Sequence, residues 1–147
     1  HRGPRINQDA VSKIRAKLSG SLILESWMGD FTVCDVNGSL LKPQQVIALS
    51  AIGNPDGFWR SLEVAGFSVV ERVNLKDHSS ISEGLVSELI RKYPDIKIVI
   101  TEKDRVKLSS ELSSLLYSLT SKLEFNDKKA LVDLLIKKVT KIALSPL

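Results

Sequence analysis

The pair Asp77 and His78 directly follows an apolar run that ends at Leu75. A carboxylate can orient a neighbouring imidazole or raise its basicity, and histidine is the side chain most readily poised to exchange protons near neutral pH. Residues adjacent in sequence need not touch, however, and a surface histidine is common. The pair is therefore a candidate for general-base chemistry, with an ordinary surface position as the alternative.

Thr101, Glu102, Lys103 and Asp104 close another apolar run with a hydroxyl and three charges in succession. Lys103 is a candidate for contacting a phosphate or for pairing with a carboxylate such as Asp77. The alternative is a helix start, in which Thr101 or Asp104 is the cap and Lys103 is solvated. Both interpretations remain open from the sequence.

Gly53, Asn54 and Pro55 follow a third apolar run, Val46–Ile52. They can form a tight turn into a helix, with Pro55 near its first position and free amides at its start able to accept an anion. Glycine and asparagine are also ordinary turn residues. This stretch is a candidate phosphate contact with a structural alternative.

Alternating strands and helices from Val46 onward position these stretches. Strands are predicted in "VIALSAI", "FSVVERVNL", "IKIVIT" and "LTSKLEF", and helices in "PDGFWRSLEVAG", "SISEGLVSELIRKY" and from Asn126 through Ile142. This order predicts an α/β fold with a mostly parallel sheet of about four strands and helices on both faces. Ligands bind beyond the carboxyl ends of such strands, so we expect the three stretches to share one rim.

The first 44 residues are predicted to be separate from this sheet. A short helix is expected between a cap at Asn7 and a stop at Gly20, and "LILES" is expected to be a strand. Asn37-Gly38 is a strong hairpin signal, so Phe31 to Leu41 is expected to stand off the next unit. The predicted divisions are an N-terminal helix in 1–20, a two-stranded hairpin linker in 21–44 and an α/β domain in 45–147.

Composition is that of a folded globular protein, with 43% hydrophobic and 26% charged residues in a chain of 147. The net charge of +4 comes from basic residues weighted to both ends, which favours either an anionic partner surface or solvated helix faces. Cys34 is the single cysteine, so the chain can form no internal disulfide and no cysteine-based zinc site. The first residue is His1, and we expect that the chain begins in mid-protein.

Several catalytic motifs are absent from the sequence. None of the eight glycines falls in a G-x-x-x-x-G-K-[ST] or G-x-G-x-x-G pattern, and there is no H-x-x-x-H pair or G-x-S-x-G elbow. We therefore expect that these 147 residues are not a complete, independent enzyme.

The three stretches together resemble the C-terminal part of the tetraacyldisaccharide 4′-kinase family, the lipid A kinases. That family carries a Gly-Ile-Gly-Asn-Pro turn with a following aromatic pair, then Asp-His-His, then Thr-Glu-Lys-Asp-x-Val-Lys. The matching segments, in the same order, are Ile52–Pro55 with Phe58 and Trp59, Asp77–His78, and Thr101–Asp104 with Val106 and Lys107. Two departures are Ser79 at the second histidine and Ser50-Ala51 in place of the usual Ala-Gly.

The resemblance implies that the whole protein transfers the γ-phosphate of ATP, with Mg²⁺, to the 4′-hydroxyl of an acylated glucosamine disaccharide 1-phosphate. It implies an upstream P-loop domain that binds ATP and Mg²⁺, joined by a two-stranded linker that the Asn37-Gly38 hairpin fits. His78 would help an aspartate of that domain accept the hydroxyl proton, with Asp77 beside it. The other candidates, Gly53, Asn54, Thr101, Glu102, Lys103 and Asp104, would line the substrate or phosphate rim.

The resemblance further implies peripheral membrane contact and no nucleic-acid partner or metal site in this portion. The expected location is the cytoplasmic face of the inner membrane in a bacterium, or a mitochondrion or plastid in a eukaryote. This portion alone is expected to be inactive because it lacks a P-loop. The alternative hypothesis is a non-catalytic α/β binding module derived from the same family.

Overall fold

The computed structural model describes residues 8–18 and 24–143. The elements in chain order are α1 (Gln8–Lys17), β1 (Ser26–Cys34), β2 (Gln45–Ser50), α2 (Pro55–Val64), β3 (Ser68–Asn74), α3 (Glu83–Lys92), β4 (Lys97–Thr101), α4 (Glu102–Arg105), α5 (Ser110–Ser114), β5 (Tyr117–Phe125) and α6 (Lys128–Ala143). The predicted cap Asn7 and stop Gly20 lie outside the described residues. So do the first two residues of the predicted strand "LILES".

The sheet has five strands in the order β1-β5-β4-β2-β3. The central strand β2 runs parallel to both β3 and β4, and β4 runs parallel to β5. The helical connections between these parallel strands are the crossovers that such a sheet requires. The predicted α/β class and mostly parallel sheet are confirmed.

The predicted number of strands was wrong, because β1 pairs with β5 and adds a fifth strand. The hydroxyls of Thr32 and Thr120 lie 2.7 Å apart, and Lys122 Nζ lies 3.1 Å from Asp30 Oδ2. Residue numbers rise along one strand as they fall along the other, so β1 and β5 are antiparallel. The partner strands are 88 residues apart at the Thr32–Thr120 contact. A local sequence pattern carries no information about such a pairing.

A tight turn does form at Asn37-Gly38, with Gly38 at φ 81°. Asp35 Oδ1 accepts hydrogen bonds from the amides of Asn37 and Ser39, at 2.8 and 2.9 Å. After the turn, however, the chain makes only an isolated antiparallel bridge between Leu40 and Cys34. The turn therefore ends a long strand of the sheet, and its second arm is short.

Helices cover both faces of the sheet. Alternate residues of β2 point to opposite faces and therefore pack in two different clusters. Ile47 and Leu49 pack with Val86 and Leu89 of α3 in one buried cluster, which also contains Leu112 and Leu116 around α5. The second cluster contains Val46, Ala48, Phe58, Leu62 and Val99, and thus packs α2 against the other face. The apolar run of β2 is continuous because both of its faces are buried.

The chain divides into two compact units, one of Asp30–Lys122 and one of His1–Gly29 with Leu123–Leu147. Both buried clusters belong to the first unit. In the second, Glu25 and Asn126 exchange two hydrogen bonds: the Glu25 amide donates to Asn126 Oδ1 at 3.0 Å and the Asn126 amide to the Glu25 carbonyl at 3.1 Å. Arg15 also pairs with Glu25 at 2.8 Å. Among the described helices, none is both long and apolar enough to cross a membrane.

Leu116 and Leu115 are adjacent leucines with opposite environments, fully buried and 56% exposed respectively. We expect Leu116→Ala to lower the free energy of unfolding by about 2–5 kcal/mol, because it removes buried methyl groups and leaves a cavity. Leu115→Ala should change it by less than about 0.5 kcal/mol. Urea unfolding of the two variants provides the comparison, and similar losses in both would contradict the placement of the core.

Candidate functional site

Three parallel strands end at one edge of the sheet: β2 at Ser50, β3 at Asn74 and β4 at Thr101. We call the residues that follow them, 51–54, 75–79 and 101–104, the rim. The first two segments are joined at the strand ends, where the Leu75 amide donates to the Ser50 carbonyl at 2.8 Å. The buried Ser50 hydroxyl donates to Asn74 Oδ1 at 3.2 Å. The rim is therefore built on fixed strand ends.

The backbone of Ala51 connects all three rim segments. Its N–H donates to Asp104 Oδ2 at 3.2 Å, and its carbonyl accepts from the amide of His78 at 3.2 Å. Ala51 itself is buried. One residue after β2 thus holds both the segment after β4 and the segment after β3.

Asp104 is a buried carboxylate, with 1% of its surface exposed. Its Oδ2 also accepts the hydroxyl of Thr101 at 2.7 Å, while the Asp104 amide donates back to the Thr101 oxygen at 3.1 Å. Thr101 is therefore the cap of α4, which is the structural alternative given for this stretch. The ammonium of Lys107 lies 3.6 Å from Asp104 Oδ1 and partly balances the buried charge.

Asp77 and His78 form a tight turn with their side chains largely in solvent. The His78 amide donates to Asp77 Oδ1 at 3.0 Å, while its imidazole Nε2 lies 3.7 Å from Asp77 Oδ2. The side chain of His78 is 88% exposed and that of Asp77 is 50% exposed. The imidazole is thus open to a reactant, with the Asp77 carboxylate beside it.

His78 has a left-handed backbone, with φ 64°. This conformation is uncommon for a residue other than glycine and persists where the surroundings fix it. Here its amide is held by Ala51 and by Asp77. The turn after β3 therefore holds the histidine in a fixed and uncommon backbone conformation.

Gly53 makes room for the carboxylate of Asp77. A Cβ atom at Gly53 would lie 3.0 Å from Asp77 Oδ2, a tight contact for any other residue. Asn54 caps α2, because its Oδ1 accepts the amide of Gly57 at 3.2 Å, and Pro55 is the first helical residue. Gly53 and Asn54 therefore fill the structural roles that their residue types allow in such a turn.

The side chains of Glu102 and Lys103 are exposed at the start of α4. Within the described ranges Lys103 forms no ion pair, so the suggested contact with Asp77 is not present. The rim carboxylate that lies near a lysine is Asp104. Lys107 follows it by three residues, and this spacing places the ammonium near the carboxylate. Lys103 remains available to a ligand.

Three residues help to build the rim although their residue types alone do not identify them as site residues. Ala51 acts through its backbone, which its residue type does not reveal. Arg105 donates to the carbonyls of Cys34 and Leu116, at 3.2 and 2.9 Å, and so fixes α4 against distant segments. Lys107 matches the last residue of the family motif, but the motif does not reveal that its ammonium lies beside Asp104.

A separate polar contact joins the end of α3 to β3. The hydroxyl of Tyr93 donates to Glu71 Oε2 at 2.6 Å and, with the nearby charge of Lys92, lowers the pKa of Glu71. The same tyrosine and the carboxylate raise the pKa of Lys92. These groups stabilise the scaffold, and none of them belongs to the rim.

Comparison with known proteins identifies the family. The model of the tetraacyldisaccharide-1-P 4′-kinase family matches residues 4–140. The chain belongs to this family. The resemblance predicted from the three rim motifs is therefore confirmed.

Curated tetraacyldisaccharide 4′-kinases match about half of the chain. The protein of Halothermothrix orenii is 37% identical over 75 residues, which are 48% of this chain and 19% of the relative. That of Actinobacillus succinogenes is 38% identical over 64 residues, 44% of this chain and 19% of the relative. The matched part thus spans about a fifth of the length of these kinases.

A solved family structure has a similar fold. LpxK from Aquifex aeolicus, crystallised in complex with ATP, matches with a TM-score of 0.50 and 18% sequence identity, over 86% of this chain and 44% of that one. At this identity the similarity concerns the fold alone, and it agrees with the α/β architecture described above.

The contact between Gly53 and Asp77 predicts a stability difference between two glycine substitutions. Gly53→Ala should lower the free energy of unfolding by about 1 kcal/mol, because the new methyl group crowds the carboxylate. Gly84→Ala in α3 meets open space and should raise it by about 0.5–1 kcal/mol. Urea unfolding measures both, and equal stabilisation by the two variants would refute the tight packing at the rim.

Proposed function

We propose that this chain is part of a longer lipid kinase that transfers the γ-phosphate of ATP to the 4′-hydroxyl of a tetraacylated glucosamine disaccharide 1-phosphate. Family membership supports the reaction class. The observation that carries the assignment to this site is the meeting of all three family motifs at Ala51. Motifs far apart in sequence meet there and leave an exposed histidine at the edge of the sheet.

His78 is proposed to assist removal of the proton from the attacking hydroxyl. Phosphoryl transfer depends mainly on positioning and charge neutralisation, so a positioned base needs only to accept this proton or relay it to an aspartate elsewhere in the protein. Asp77 Oδ2, 3.7 Å from the imidazole Nε2, would help to orient the ring. Lys103, exposed on the same rim, is proposed to contact a phosphate of either substrate.

ATP and Mg²⁺ are proposed to be bound chiefly by another part of the longer protein. The 147 residues contain no P-loop sequence. In the described part of the chain, no three His, Cys, Asp or Glu side chains are grouped to hold a metal ion. The described residues therefore do not fit a magnesium site of their own.

The strands β1 and β5 are proposed to be the two-stranded linker of the family. The boundary between the two compact units falls at Gly29/Asp30 within β1 and at Lys122/Leu123 within β5. The chain thus passes between the units twice, each time as an extended strand. This assignment replaces the Asn37-Gly38 hairpin as the proposed linker.

The location proposed for the protein follows from its proposed substrate. Its acyl chains anchor it in a membrane, so contact by this protein would be peripheral, at the cytoplasmic face of a bacterial inner membrane or in a mitochondrion or plastid. No nucleic-acid partner is proposed. The alternative function, a non-catalytic binding module, is favoured by one observation, the serine at position 79 where the family has a second histidine.

Substitution of His78 in the intact protein tests the proposed function. His78→Asn is the sharper variant because asparagine tolerates the left-handed backbone observed there, whereas alanine does not. We expect turnover to fall by about 10²-fold or more, with the Michaelis constant for ATP nearly unchanged, because base assistance acts in the transition state. Phosphorylation of the disaccharide is measured at saturating ATP.

Ser79→Ala is the matched control, since it alters the neighbouring residue of the same turn without removing an imidazole. It should reduce turnover by much less, because a hydroxyl cannot serve as a base near neutral pH. Circular dichroism must show that both variants are folded. Equal, small losses in the two variants would contradict the catalytic role of His78, and absence of any disaccharide phosphorylation by the intact wild type would favour the binding module.

A further inference from the structure

The buried carboxylate of Asp104 has more contacts than the cap of a short helix requires. Thr101 already caps α4 through its own hydroxyl. Asp104 Oδ2 instead accepts the amide of Ala51, which is 53 residues away in sequence and follows a different strand. Two donors bind Oδ2, whereas buried Oδ1 has no hydrogen bond and faces the ammonium of Lys107 at 3.6 Å, so the retained charge calls for an explanation beyond capping.

Ala51 links Asp104 to His78 through two backbone hydrogen bonds. The N–H of Ala51 is bound by Asp104, and its carbonyl accepts the amide of His78. The His78 amide is held at 3.2 Å by this carbonyl and at 3.0 Å by Asp77 Oδ1, and these bonds support a left-handed conformation that is otherwise unfavourable. Movement of Ala51 would therefore change the direction in which the imidazole leaves the backbone.

We propose that Asp104 is a positioning residue, which acts through the backbone of Ala51 to fix the geometry of His78. The inference rests on the proposed function, because it gives Asp104 a part in the same reaction. Asp104 itself is buried and contacts no reactant. Its contribution is orientation, and small displacements of a reacting group can lower turnover by about 10²-fold.

The test compares Asp104→Ala and Asp104→Asn in the intact protein, by turnover and by amide hydrogen exchange. Asp104→Ala removes the acceptor, so exchange at Ala51 and His78 should accelerate about tenfold or more relative to the interior amides of β4. Turnover should fall about tenfold or more while the Michaelis constant for ATP stays within about twofold. Asparagine retains an oxygen but not the charge, so Asp104→Asn should lie between wild type and alanine in both measurements.

Ser109→Ala is the matched control for loss of a cap nearby in sequence. The Ser109 hydroxyl accepts the amide of Leu112 at 3.2 Å at the start of α5, whereas the backbone of Ala51 bonds Asp104 and His78. This variant should lose stability as a capping mutant does, yet keep the exchange rates of Ala51 and His78 and the turnover of the wild type. A positioning role and a general loss of stability are thereby separated.

Unchanged exchange at Ala51 and His78 in Asp104→Ala would overturn the inference, and so would faster exchange with unchanged turnover. If Asp104→Ala does not fold, Asp104→Asn is the test. Wild-type amide exchange and wild-type turnover in that variant would overturn the inference. Hydrogen exchange does not depend on the reaction. A failure of the proposed function would be shown by wild-type turnover in His78→Asn, whereas a failure of this inference would be shown by Asp104→Ala or Asp104→Asn alone.

Discussion

The hydrogen bond from the Ala51 amide to the buried carboxylate of Asp104 is the constraint on which the rim depends. It ties the end of β2 to the first turn after β4, and the carbonyl of the same residue holds the amide of His78 after β3. A charged acceptor makes a hydrogen bond roughly twice as strong as a neutral one. Without it, the segment after β4 would lose this bond to the end of β2, whereas the segments after β2 and β3 would still be joined through the amides of Leu75 and His78.

The scaffold makes this meeting possible because its central strands are parallel. Parallel order places the carboxyl ends of β2, β3 and β4 at one edge, where the backbone must leave the sheet and its polar groups need new partners. Caps from Asn54 and Thr101 satisfy some of these groups. Several rim side chains are left in solvent, and His78 and Lys103 are among those available to reactants.

Much of the fold was predictable from the sequence because its signals are local. The continuous apolar runs of β2 and β4 indicate strands buried on both faces, and α3 (Glu83–Lys92) lies within the segment "SISEGLVSELIRKY" that is predicted to be a helix. The pairing of β1 with β5 was not predictable, since it joins distant segments and its residues resemble an isolated hairpin. The site shows the same division: His78 and Asp104 were identifiable by residue type, whereas the backbone of Ala51 was not.

In the proposed function, the rim of this chain forms one wall of the reaction site of a lipid A kinase. The most direct measurement is a crystal structure of the intact protein with a non-hydrolysable ATP analogue and the acylated disaccharide. The account predicts that the His78 imidazole lies within about 2.6–3.2 Å of the 4′-hydroxyl or of a single group that relays its proton. A complex in which the disaccharide binds elsewhere, with His78 facing away from the nucleotide, would contradict it.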